Sequence, residues 1–277
     1  MEQFIGKTYD EERALYGIRG ALVKDCVFSG PADGESALKE ASDIEMDNCL
    51  FELRYPLWHV TGAVVKNARM TDTCRAALWY DKNVTILDSD LGGIKALREC
   101  DDSVIRNCKI VSPEFGWMCR NVKIADSELT AEYAFLQTRG MELDHFTLHG
   151  KYSFQYVENA VIRNSVLNTK DAFWHGKNIT VENSIVKGEY LGWYSENLTL
   201  INCRISGTQP LCYCKGLKLI NCTMEGTDLS FEKSEVEATV QGEIQSVKNP
   251  VCGFVTADTI GEVILDEPTS CVITAKA

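Results

Sequence analysis

The chain has 277 residues, 45% of them hydrophobic, enough for a large core, and a formal net charge of −12. Its 28 Lys and Arg are scattered among 40 Asp and Glu, so there is no basic stripe to neutralise phosphates, which excludes nucleic acid and an anionic membrane surface as partners. No apolar run approaches a membrane span, and the acidic opening segment lacks a signal-peptide pattern, so a cytoplasmic protein is expected.

Thr8-Tyr9-Asp10-Glu11 has the form of a capping box. It predicts a short helix to about Tyr16, with residues 1–19 as an N-terminal helical cap. From there the chain repeats. An aliphatic–x–aliphatic–x–Asn/Asp–Cys/Ser pattern has its fifth position at Asp25, Asn48, Asn67, Asp88, Asn107, Asp126, His145, Asn164, Asn183, Asn202 and Asn221, and from Asn107 onward every step is 19 residues. A fixed period is read before any other signal because it decides the architecture. Within each repeat, alternating β-branched and aliphatic residues such as Val122-x-Ile124 and Ile179-x-Val181 read as strand. A further aliphatic follows (Leu129, Val186), then a turn, then a short aromatic segment. Three short strands per repeat leave no room for a helix, and a propeller blade needs about twice this length. The prediction is all-β: a right-handed single-stranded parallel β-helix of eleven turns over residues 20–233. Residues 234–277 lose the period and read as a β-rich C-terminal cap, the whole chain being one domain.

The repeat also explains side chains that would otherwise suggest chemistry. Asn and Asp tolerate the left-handed conformation of a sharp bend, and stacked amides form a ladder. His145 interrupts this column. Cys26, Cys49, Cys108, Cys203 and Cys222 share one position with Ser89, Ser127, Ser165 and Ser184, which marks a small buried site rather than a disulfide framework. No C-x-x-C pair, phosphate loop or metalloprotease motif occurs, so neither a metal nor another cofactor is expected.

All five tryptophans, Trp58, Trp79, Trp117, Trp174 and Trp193, fall at one position of the aromatic segment. Strand alternation places them inward, with Arg98 and Gln155 as polar exceptions in that column. The alternate residues then face outward. They include Tyr55, Leu57, His59, Tyr80, Leu97, Tyr133, Phe135, Tyr152, Phe154, Tyr156, Phe173, Tyr190, Tyr194 and Tyr213, a contiguous aromatic strip suited to sugar rings or a protein partner. The reverse assignment of faces is the alternative over such short strands. A second copy of the chain, the 29–41 segment or the C-terminal region could also cover the strip. Candidate catalytic groups are Asp81, Glu99, Glu114, Asp171 and His175, since paired carboxylates serve glycoside hydrolysis. Asp171 and His175 are four residues apart on one strand, about 13 Å if it is straight. Lys95 and Glu114 share a column in adjacent turns and read as a surface ion pair.

RYPLWH (54–59), TKDAFWHGKN (169–178) and GEYLGWYSEN (188–197) resemble a bacterial family described only as a domain of unknown function, and ERALYG (12–17), DGESALKE (33–40) and the 248–266 tail extend the resemblance over nearly the whole chain. The resemblance implies a right-handed parallel β-helix and no activity. The architecture is similar to that of pectate lyases and polygalacturonases, but their N-x-D, D-D, G-H-G and R-x-K motifs are missing here. Three functions follow as expectations. The first is binding of an extended carbohydrate-like ligand along the strip. The others are a glycan-active lyase or hydrolase, and an interaction or self-assembly scaffold.

Overall fold

A computed structural model describes residues 1–31 and 35–276, and every regular element among them is a strand. The chain is a parallel β-solenoid of about 14 turns, divided into two compact units, Met1–Glu142 and Leu143–Ala277. In the first unit Glu2–Ile5, Ala21–Lys24, Ser42–Asp47, Thr61–Lys66, Lys82–Leu87 and Asp101–Arg106 stack in parallel register as one wall. In the second, Glu158–Arg163, Lys177–Glu182, Glu196–Ile201, Leu217–Glu225, Glu235–Gln241, Cys252–Ala257 and Val272–Ala275 do the same. Alternate residues of this wall (Ile86, Ile105, Ile162, Val181) are buried and form the core, as the period-2 pattern of a one-sided strand requires.

The Asn/Asp column makes the bend after this wall. Asp25, Asn48, Asn67, Asp88, Asn107, Asn164, Asn183, Asn202 and Asn221 all have φ between 50° and 57°. Amides bond from turn to turn: Asn107 to Asp88 at 2.6 Å, Asn202 to Asn183 at 3.1 Å and Asn221 to Asn202 at 2.9 Å. At His145 (φ 48°) the ladder sidesteps, and Asn164 donates to Asp144 instead, at 2.8 Å. A second ladder lies at the start of these strands, in which Asn121 donates to Asp102, and Asn197 to Asn178, both at 2.9 Å. The Cys/Ser position is buried, and its thiols and hydroxyls donate to the carbonyl two residues back, as Cys108 does to Arg106 and Ser89 to Leu87. Ten of the twelve cysteines are buried and all are free.

Three expectations are corrected. There is no N-terminal helix. Thr8–Tyr9 is a strand paired with Val27–Phe28, and the Tyr9 ring stacks on Phe28 at 5.2 Å, which stacks on Phe51 at 4.8 Å. The segment adds one more turn to the stack, its carbonyls accepting the N–H groups of Val27 and Ser29. The solenoid also has more turns than the eleven repeats suggest, one of them at the start, where Gly6 (φ 62°) stands in the place that later turns give to Asn or Asp. Its N–H bonds to the Lys24 carbonyl just as that of Asp25 bonds to Asp47, and glycine reaches this conformation without the marker side chain. At the other end, the β-rich residues 234–277 carry strands that stack onto the wall, with Glu235–Gln241 pairing onto Leu217–Glu225 and Cys252–Ala257 onto Glu235–Gln241. The described residues 35–41 of the 29–41 segment form no lid either. Residues 32–34 lie outside the described residues, but Ser36, Leu38 and Glu40 donate to Arg54, Pro56 and Trp58, within the stack of turns.

Candidate functional site

The aromatic segment is not an extended strand, and this decides which side chains reach solvent. In one turn Tyr152, Phe154 and Tyr156 have φ of 54°, 62° and 56°. In the next, Asp171, Phe173 and His175 have 53°, 63° and 54°. Every second residue is left-handed, so faces change by pairs rather than singly. Ala172 and Phe173 are buried while Trp174 and His175 look outward, partly exposed. Leu57, Leu78, Leu97, Phe135, Phe154, Phe173 and Leu211 are therefore core, at 0–1% exposure, and not part of an outer strip. The tryptophans, expected inside, are half-buried on the outer side. Trp117, Trp174 and Trp193 donate their indole N–H to the carbonyls of Tyr133, Tyr190 and Gln209, each at 2.8 Å, which pins the rings against the following turn. The polar residues Arg98 and Gln155 in the tryptophan column were the available signal that this column meets water.

The position after the tryptophan column carries stacked rings in each unit. In the second unit Tyr156, His175, Tyr194 and Tyr213 stack in succession at 4.9, 5.0 and 4.8 Å, with interplanar angles of 7°, 8° and 15°. The faces between neighbouring rungs are spent on one another. Tyr156 and Tyr194 are 48% and 44% exposed. Tyr190 stands edge-on to Trp193 at 5.5 Å, and the Tyr152 ring has the Lys151 and Lys170 ammonium groups at 5.3 and 6.0 Å. In the first unit His59 stacks on Tyr80 at 5.0 Å and Trp58 on Trp79 at 5.3 Å, with Tyr55 tilted across both indoles and Lys39 4.0 Å from the Trp58 ring. Tyr133 is 37% exposed.

The candidate catalytic groups occupy unlike environments. Asp81 is fully buried. It fills the column of Cys100, Cys119 and Thr138, where its Oδ1 accepts the Val60 N–H at 2.7 Å and its Oδ2 has no hydrogen-bond partner. Burial pushes its carboxyl well above the usual range, Cys100 adds to this, and the Val60 N–H opposes it. Glu99 faces the first-unit ladder and accepts from Arg98 Nε at 2.9 Å. Burial raises its carboxyl, but the hydrogen bond and positive charge of Arg98 help outweigh this and hold it below the usual glutamate range. Glu114 pairs with Lys95 at 3.3 Å, the ion pair expected from the shared column. Asp171 is 7% exposed, and burial raises its carboxyl, opposed by Lys170 and reinforced by Glu189. No hydrogen bond joins it to His175. Glycoside hydrolysis needs two carboxyl groups that both reach the substrate. Glu99 and Glu114 are each closed on a cation, and Asp81 presents no atom to the surface. Among the described residues no cluster of His, Cys, Asp and Glu could hold a metal ion, and no helix is long and apolar enough to cross a membrane.

A family described as Protein of unknown function (DUF3737) matches residues 2–275. The chain belongs to this family. No curated protein matches it. Solved structures similar to this DUF3737 chain include the A-module of a mannuronan C-5 epimerase from Azotobacter vinelandii, at 11% identity over 98% of this chain and 87% of that one, with a TM-score of 0.43. HetL, a pentapeptide repeat protein from Nostoc, matches at 12% identity over 80% and 92%, with a TM-score of 0.31. The catalytic domain of an alpha-1,3-glucanase matches at 11% identity over 100% and 64%, with a TM-score of 0.29.

Proposed function

We propose that the protein binds an extended carbohydrate-like ligand along the ladder of Tyr156, His175, Tyr194 and Tyr213. One observation carries this reading. Four rings on consecutive turns stack at a spacing of 4.8–5.0 Å, and the exposed Tyr156 and Tyr194 have no hydroxyl partner among the described residues. A contiguous exposed aromatic patch marks a contact surface, and a periodic surface is complementary to a periodic polymer laid along it. An extended polypeptide advances about 3.3 Å per residue, so its groups fall out of step with the rungs within a few turns.

Electrophoresis through gels containing soluble polysaccharides tests the proposal. The wild type is retarded by at least one neutral polysaccharide, with little dependence on salt because no ion pair carries the contact. Tyr156→Ala and Tyr194→Ala abolish the retardation while the far-ultraviolet circular dichroism is retained. Migration unaffected by every polysaccharide, or retardation that survives both substitutions, overturns it.

A further inference from the structure

Resting on that reading, we infer that the ladder takes a neutral, unbranched chain of pyranose rings, read one ring per rung through hydroxyl hydrogen bonds rather than by stacking on aromatic faces.

The geometry of the rings points this way. Sugar-binding aromatic platforms use the apolar face of the ring. Here Tyr156, His175, Tyr194 and Tyr213 lie within 7–15° of parallel to their neighbours at 4.8–5.0 Å, so each inner face is already covered by the next rung. What remains is a line of edges. A phenol hydroxyl both donates and accepts, and a neutral imidazole does one at each nitrogen, which matches the dual character of a sugar hydroxyl. The adjacent indoles add no donors, since Trp174 and Trp193 have already given their N–H groups to backbone carbonyls.

Charge argues for a neutral chain. A polymer bearing a carboxylate on every unit needs a cation at every rung to offset its desolvation. Two residues after the rungs stand Glu158, Lys177, Glu196 and Lys215, and Lys177 closes on Glu196 at 3.2 Å, so Lys215 is the one lysine of these four positions without an ion pair among the described residues. Lys248 is taken by Glu232 at 3.0 Å, beside Tyr213. The protein's net charge of −12 adds a repulsive background. Spacing supplies the register, because a linked pyranose chain lying along the stacking direction advances by about one ring length per unit, close to the separation of the rungs.

Calorimetric titration with linear glucose oligomers of increasing length, set against galacturonate oligomers of the same lengths, tests the inference. Affinity for the neutral series rises roughly two- to tenfold per added ring, as one net hydrogen bond per rung gives, and levels off once four rungs are filled. Galacturonate binds more weakly at every length. Tyr194→Phe keeps the ring in the stack and removes only the hydroxyl, so it lowers affinity by the factor of one rung. Equal or tighter binding of galacturonate, affinity independent of chain length, or an undiminished Tyr194→Phe variant overturns this inference while carbohydrate binding stands. Absence of binding to both series, together with unretarded migration in polysaccharide gels, overturns both.

Discussion

Replacing Asp81 by Thr should make the protein more stable, and increasingly so as pH rises. Asp81 is the one carboxylic acid in a buried column otherwise filled by small residues such as Cys100, Cys119 and Thr138. Thr138 shows what a hydroxyl does there. It accepts the Cys119 N–H at 3.3 Å and donates to the Gly116 carbonyl, so a threonine at 81 can take over the Val60 N–H that Asp81 Oδ1 now accepts at 2.7 Å. In the unfolded chain an aspartate releases its proton near pH 4. In the fold, burial pushes the Asp81 carboxyl well above that range. Between these two points the native state holds one more proton than the unfolded state, so wild-type stability falls as pH rises, by at most about 1.4 kcal/mol per pH unit. The variant has no such term. Urea denaturation at about pH 5 and about pH 6 should therefore show its advantage growing, by at most about 1 kcal/mol. A difference that stays constant over this interval, or a variant less stable than the wild type at both pH values, refutes the assignment of Asp81 as a buried neutral acid.

Three further outcomes follow from the same geometry. Phe173→Ala should cost about 3–5 kcal/mol, because the ring is core and stacks on Phe154 at 5.0 Å, whereas Tyr156→Ala should change stability by about 1 kcal/mol or less; urea midpoints separate the two. Asn202→Ala should destabilise by about 2 kcal/mol, since alanine resists φ of 53° and two ladder bonds are lost, while Asn202→Gly, free of the conformational cost, should lose less. A thiol reagent applied to the native protein should label Cys252 and Cys271 alone among twelve cysteines and reach the rest on unfolding, since burial holds Cys49 and Cys214 up to about 11. Rapid labelling of Cys203 or Cys214 in the folded protein would count against the buried column.

What could be read from the residues was whatever one turn shares with the next. Asn107, Asn164, Asn202 and their equivalents recur because each must reach a left-handed bend and hand an amide to its neighbour, and that requirement leaves a periodic mark in composition. The cysteine and serine position, the inward aliphatics and the Lys95–Glu114 pair are legible for the same reason. Gly6 left no such mark, since glycine meets the conformational need with no side chain, and the first turn was missed.

The faces of the aromatic segment were decided by the tertiary structure. Nothing local makes Phe154, Phe173 or Tyr156 left-handed; for bulky residues that conformation is disfavoured. It is held because the N–H of Tyr156 finds the Trp174 carbonyl in the next turn and that of Phe173 finds Ser153 in the one before. Those bonds come from stacked turns, not from neighbours in sequence, and they replace the alternation of a strand by inward and outward pairs. The side chains of this segment were therefore known from the sequence, while the choice of which would meet a ligand was made only when one turn was laid upon another.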